Sequence, residues 1–298
     1  MGYFTSAGGG TDKLNTFQMA IGSEGGTSGR TFATLWYVHV AGLCLSPLLF
    51  SETHASIPFA TCSYDNLVWD ISGDTNYAAA GLNKADGIVS LSLPGSATAN
   101  DKQLSCGGAN ASGCYTIRLD LAPPVLPSPY YSGGNSSNAS MRDPCSHGLT
   151  SLYAFGTGAV GDQVAAKGDD NFAGLTTTVP VSLYGASYTS IFASTNGYVS
   201  LGTGTGAYAV VGFPTTSPGA PVIAAWFADV DTRATLAPPV PLPAGYPTNA
   251  LPNNMYFRKS TAPSDKARMA SDVLIALGVT FTPAEVIVVT WCVCACCR

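Results

Sequence analysis

The sequence predicts a mostly β protein: antiparallel strands packed as a sheet or sandwich around an apolar core, with one helix near residues 264–277. Three observations carry this. Gly and Pro are abundant, 33 and 20 of 298 residues, and they punctuate many short apolar runs, as turns between strands do. The run Val222-Ile223-Ala224-Ala225-Trp226-Phe227, bounded by Pro221, suits a strand buried on both faces. Residues 190–194 and 198–202 are β-rich and flank Asn196-Gly197, a type I′ hairpin signal.

The remaining elements follow in chain order. Residues 122–147 hold Pro123-Pro124, Pro127, Pro129 and then a Ser/Gly/Asn run. Such a stretch cannot bury apolar area and reads as a linker. It separates residues 1–121 from residues 148–298. The second block opens at Leu152-Tyr153-Ala154-Phe155-Gly156 and continues through Val179 to Tyr184-Gly185 and the hairpin. The buried strand then ends directly in Asp229, Asp231 and Arg233. Charges so placed must pair with each other, with backbone N–H groups or with a cation. After a Pro-rich insertion at 238–252 comes the strand phrase Asn254-Met255-Tyr256-Phe257-Arg258. From Ser264 to Leu277, Ala267, Ala270, Leu274 and Leu277 recur at helical spacing, and Ser264-Asp265 supplies a cap. The last strand is predicted over 285–291. Trp226 and Trp291 lie inside apolar runs, which makes them core anchors.

Composition excludes several functions. Only 10% of residues are charged, the net charge is −5, and 13 Lys plus Arg are thinly spread, so there is no basic field for a nucleic acid. The apolar stretch 35–50 is broken by His39, Gly42, Ser46 and Pro47 and is too short to span a bilayer, so no transmembrane segment is expected. Residues 1–5 show neither the basic nor the apolar region of a signal peptide.

These phrases, taken together, resemble the NIDO domain, the extracellular module of nidogens, tectorins and some membrane mucins. Residues 148–291 follow the first part of that pattern, through Gly161-Asp162, Gly168-Asp169-Asp170 and Asp-Val-Asp-Thr-Arg at 229–233. The N-terminal block is similar to the later part. Met1-Gly2-Tyr3-Phe4 looks like the continuation of Thr290-Trp291, and Thr11 to Gln18, 31–37, 67–69, 79–83, 86–87 and 93–96 follow in the family's order. The chain thus reads as the back half of one such domain, a linker, and the front half of another. The family order would be restored in space if the two blocks packed together as in a circular permutant, with Tyr3 near Trp291. Residues 38–64 interrupt the first block, and 292–298 replace the family's next phrase; both read as translated intron.

The resemblance implies a non-enzymatic extracellular or cell-surface protein of cell–matrix adhesion, with matrix or cell-surface glycoproteins as partners. Secretion accords with the sequons at Asn110, Asn135 and Asn138. In that setting Cys106 and Cys114, which flank a short Gly-rich loop, could form a disulfide. Nine cysteines are an odd number, so one cannot pair within the chain. The Cys292, Cys294, Cys296 and Cys297 cluster resembles a thiolate metal site but has no second cluster to close a tetrahedron. The run 202–207 matches a dinucleotide fingerprint, yet β-prone residues and Pro214 follow where a helix is required, so it reads as a glycine-rich turn.

Asp162, Asp169, Asp170, Asp229 and Asp231 leave two readings open. Asp169, Asp170, Asp229 and Asp231 could coordinate Ca²⁺ through oxygen, as extracellular modules do at weak affinity; a calcium-dependent carbohydrate or glycoprotein binder is the corresponding alternative function. The other reading has each carboxylate accepting backbone hydrogen bonds, with Asp231 paired to Arg233. No D-x-D-x-D-G loop is present. His39, His54 and His147 share no motif with a nucleophile, and no cofactor or catalytic residue is expected.

Overall fold

A computed structural model describes residues 14–26, 29–39, 78–93, 96–97, 113–121, 131–132, 152–158, 160–209, 212–233, 247, 250–251 and 253–295. The strands are β1 (Leu14–Ser23), β2 (Thr31–His39), β3 (Ala79–Asn83), β4 (Ser90–Ser92), β5 (Gly113–Arg118), β6 (Tyr131–Ser132), β7 (Gln163–Val164), β8 (Phe172–Leu183), β9 (Ala186–Ser194), β10 (Tyr198–Leu201), β11 (Val222–Phe227), β12 (Asn254–Ser260) and β13 (Glu285–Ala295). One helix, α1 (Pro263–Leu277), occurs among the described residues. The protein is mostly β, and all strand pairs are antiparallel. One sheet has the order β6-β5-β2-β1-β13-β12-β7 and the other β4-β3-β11-β10-β9-β8.

Alternation along the central strands builds three layers. Phe17, Met19 and Ile21 of β1 and Ile287, Val289 and Trp291 of β13 point between the sheets, where they meet Val199, Leu201, Ile223, Ala225 and Trp226. The intervening Ala20, Val286 and Val288 face the other way and form a second core with Phe32, Trp36, Met269, Val273 and Phe281. Both faces of β1 and β13 are therefore buried; this explains the nearly unbroken apolar run of β13, while β1 carries the buried Gln18, whose amide is hydrogen-bonded to Tyr153 C=O and Thr290 Oγ1. The outer face of the six-stranded sheet is also covered: Tyr198, Val222, Ala224 and Phe227 pack with Ala97, Ala207 and Phe213 of the flanking loops.

Four local expectations are corrected. The Asn196-Gly197 turn is not type I′, because only Gly197 (φ 81°) has positive φ. Gly197 N–H donates to Ser194 C=O at 3.2 Å, closing a three-residue loop whose last residue is left-handed. The two-residue hairpin with positive φ at both centres is instead Tyr184-Gly185, between β8 and β9 (φ 51° and 81°). The helix starts at Pro263, with Ala262 as N-cap and no side-chain cap bond, so Ser264-Asp265 does not cap it. Its buried residues are Met269 and Val273, whereas Leu274 is exposed. Gly22 on β1 allows that face to approach: a Cβ there would lie 2.7 Å from Met269 Cγ. Finally, β13 does not stop at Trp291 but pairs on to Ala295.

Strands from both sides of the Pro/Ser-rich stretch share both sheets. β1 pairs with β13, placing Phe17 opposite Trp291 and Leu14 opposite Ala295, and β3 pairs with β11, placing Leu82 opposite Ile223. Met1 to Phe4 lie outside the described residues, as do Trp69 and residues 40–64 of the 38–64 stretch; Val38 and His39 end β2.

Candidate functional site

The carboxylates gather where β11 leaves the sheet. The chain stays extended beyond Phe227, so side chains keep alternating: Ala228, Val230 and Thr232 are buried, while Asp229, Asp231 and Arg233 face outward. Thr232 fixes the neighbouring loop. Its N–H and its hydroxyl donate to Gly168 C=O at 3.0 and 2.9 Å, and the same hydroxyl accepts from Gly168 N–H at 2.8 Å. Asp169 then lies opposite Asp231 in an isolated antiparallel bridge, and Asp170 takes a left-handed conformation (φ 58°). Thr195 anchors the other end of this loop: its hydroxyl accepts from Asn171 N–H at 3.1 Å, and its own N–H donates to Asn171 C=O at 2.8 Å.

Asn196 is the hub. It is fully buried, and its amide nitrogen donates to Asp170 Oδ1 at 2.8 Å and to Ala207 C=O at 3.0 Å. Its amide oxygen accepts from Val230 N–H at 2.9 Å. A residue marked in the sequence only as a turn former thus joins the hairpin, the 168–171 loop, the Gly-rich turn and the end of β11. Behind it, Trp291 Nε1 donates to Ser194 C=O at 2.8 Å, and Trp226 is buried in the same core. The run 202–207 is a bend and loop, and the described residues between it and β11 hold no helix.

Arg233 holds the outer carboxylates. Nε and Nη2 donate to the two oxygens of Asp231, each at 2.8 Å, and Nη2 also reaches Asp169 Oδ2 at 2.9 Å. Asp169, Asp170 and Asp229 place carboxylate oxygens within 4.8 Å of one another. Three acidic groups surround Asp229. Partial burial, followed by repulsion from Asp170, Asp169 and Asp231, pushes its carboxyl up to about 6. Asp170 is raised too, chiefly by burial, against the pull of Asn196.

Hard oxygen donors at this spacing suit Ca²⁺ in kind, although that ion takes 6–8 oxygens. Asp169 and Asp231 are already engaged by a guanidinium, whose positive charge would oppose a second cation. Asp162 does not join the cluster. It is buried against Arg258, whose Nη1 donates to it at 2.7 Å, and it accepts from Gly156 N–H. Burial raises its carboxyl more than Arg258 and Gly156 lower it. Arg258, also bonded to Asp265 and to Ala154 C=O, reads in the sequence only as the end of a strand phrase. Its signal was a charge directly after the apolar run Met255-Tyr256-Phe257, at a position whose burial demands a partner. Asn110, Asn135, Asn138 and Cys106 lie outside the described residues, and Cys114 contributes its backbone to β5.

No helix among the described residues is long and apolar enough to cross a membrane. Compared with known families, residues 189–296 match the nidogen-like (NIDO) domain. That match runs from within β9 to β13 and includes Asn196, Asp229, Asp231 and Arg233; a nidogen-like domain suggests an extracellular-matrix-type module. No curated protein and no solved structure gives a significant match.

Proposed function

We propose that this chain is a non-enzymatic adhesion module of the extracellular matrix or cell surface, taking part in cell–matrix attachment through matrix or cell-surface glycoproteins. The observation that carries this reading is the nidogen-like match over residues 189–296. The site geometry accords with it: the carboxylates serve as ties between loops, and Asn196 spends its amide on architecture. Fold likeness does not name a ligand. The test is therefore attachment of cells, and binding of purified matrix glycoproteins, to surfaces coated with the native chain. Dose-dependent attachment that is lost on heat-denaturing the coat is expected. Attachment no better than to an inert protein coat would refute the reading.

A second reading rests on the three carboxylates within 4.8 Å: calcium-dependent binding of a carbohydrate or glycoprotein at the Asp169, Asp170 and Asp229 face. A rise in melting temperature with millimolar Ca²⁺, abolished in Asp229→Asn, followed by calcium-dependent signals on a glycan array, would favour it. No shift with Ca²⁺ would leave adhesion as the reading.

A further inference from the structure

β8 ends the six-stranded sheet, and its outer edge is only partly closed. In an antiparallel ladder, alternate residues turn both backbone polar groups toward the same neighbour. Asn171 C=O accepts from Thr195 N–H on the β9 side, so Asn171, Ala173 and Leu175 face β9, while Phe172, Gly174, Thr176 and Thr178 face away from it. The ends of the other sheet seal the second half of this edge. Thr178 N–H donates to the Glu285 carboxylate at 3.2 Å, Ser182 N–H to Thr31 Oγ1 at 3.1 Å, and Tyr184 N–H to Leu119 C=O at 2.9 Å. Those partners begin β13, begin β2 and follow β5. Lys259 Nζ donates to Thr176 C=O at 3.1 Å. The seal stops there. Among the described residues, the N–H and C=O groups of Phe172 and Gly174 and the N–H of Thr176 have no hydrogen-bond partner. The other edge strands, β4, β6 and β7, are only two or three residues long, which is too short to template a neighbour.

Donors and acceptors alternating at strand spacing are matched by one kind of ligand, another extended backbone. We infer that residues 172–176 are a strand-addition site for an extended segment of a partner protein, running antiparallel to β8 and carrying an aromatic residue opposite Gly174. The side chains argue for that residue. Phe172, Gly174 and Thr176 lie on the outer face of the sheet, whereas Ala173 and Leu175 pack on the core. Phe172 is 47% exposed there, and its ring meets Phe192 edge to face at 5.9 Å. Phe192 lies opposite Gly174 in the register and leans over it: a Cβ on Gly174 would lie 3.0 Å from Phe192 Cε1. A strand added beyond β8 brings its own side chain to the other flank of this bare glycine, within diagonal reach of Phe172. Edge-to-face packing then favours an aromatic ring. This assignment stands whether or not the chain attaches cells.

Amide hydrogen exchange in the full-length protein, resolved by residue with NMR, tests it. Without ligand, Phe172, Gly174 and Thr176 are expected to exchange fast, and Ala173 and Leu175, which face β9, slowly. The probe is the peptide Thr-Val-Phe-Val-Thr, acetylated and amidated, at about millimolar concentration; its Phe falls opposite Gly174. At least severalfold slower exchange at Phe172, Gly174 and Thr176 is the expected result. The same peptide with N-methyl-Phe lacks the donor for Gly174 C=O and should slow none of them. Thr176→Pro removes an outward N–H and sets a ring on the edge, which edge strands tolerate. In that variant the slowing at Phe172 and Gly174 should vanish while the melting temperature stays near native; if the variant unfolds, the N-methyl comparison decides. Equal slowing by both peptides, or by neither, would overturn the site. So would slow exchange of the three amides without peptide: constant with protein concentration, it would place another segment of this chain on the edge, and rising with concentration, a second copy.

Discussion

Asp229 has three carboxylates around it, and Arg233 is bonded to two of them, Asp169 and Asp231. Its pKa stands near 6 in the folded protein, above the ordinary carboxylate value of 3.8. The folded state thus holds the proton more tightly than the unfolded state, and stability present below about pH 4 is lost as pH rises through 6. Asp229→Asn removes that loss. The variant is expected to melt above the native protein at pH 7.5 and level with it near pH 4, as read from thermal unfolding at both values. Exposure decides the ion pairs. Arg233 is 61% exposed, so Asp231→Ala is expected to cost less than about 1 kcal/mol. Arg258 and Asp162 are 7% and 1% exposed. Arg258→Met leaves Asp162 and Asp265 without their guanidinium and should cost about 3–5 kcal/mol in denaturant unfolding. The sequence displayed the Asp-Val-Asp-Thr-Arg cluster because its charges interrupt an apolar run. It gave Arg258 no prominence, because its partner Asp162 lies 96 positions away.

Among the elements, strands were legible where both faces are buried, as in β11 and β13, since a continuous apolar run admits few other readings. Turn chemistry was legible in kind and misplaced in detail. Asn-Gly does mark a hairpin, but Asn196 is bound by three segments and stays out of the left-handed region. The true two-residue turn uses Tyr184, a residue that seldom adopts positive φ. The two glycines separate conformation from space. Gly185 and Gly197 share φ 81°, yet a Cβ on Gly185 meets nothing within 4 Å, whereas one on Gly197 would lie 1.9 Å from Trp226 C=O. Gly185→Ala is therefore expected to cost about 1–2 kcal/mol, and Gly197→Ala to prevent recovery of folded protein, as judged by soluble yield and circular dichroism. The extent of α1 was legible to within one residue, but not its buried face. Alanine spacing pointed to Ala267 and Leu274, whereas the neighbouring strand selects Met269 and Val273 through the close approach at Gly22. Met269→Ala should cost about 2–5 kcal/mol, and Leu274→Ala should stay within about 0.5 kcal/mol.

At the scale of the whole molecule, the order of family-like phrases raised the expectation that the two blocks pack together. The pairing of β1 with β13 and β3 with β11 could not be read from strand patterns alone, because an apolar strand does not name its neighbour. What the structure adds is that both sheets join the set β1–β6 to the set β7–β13 along a seam, β1 to β13 and β3 to β11, and that the inter-sheet core crosses it. Neither set can lose its partner without exposing core, so unfolding should be a single event. Intrinsic tryptophan fluorescence and far-ultraviolet circular dichroism should give coincident transitions in urea. Phe17 and Trp291 sit on opposite sides of the seam, both almost wholly buried and stacked on each other. Phe17→Ala and Trp291→Ala should each cost about 3–5 kcal/mol while preserving coincidence, and because the rings touch, the double variant should cost less than the two losses added together. If Phe17→Ala instead split the transition, with the β7–β13 signals retaining the native midpoint, the two strand sets would be independent folding units, and the seam would be a docking contact between them rather than the middle of one core.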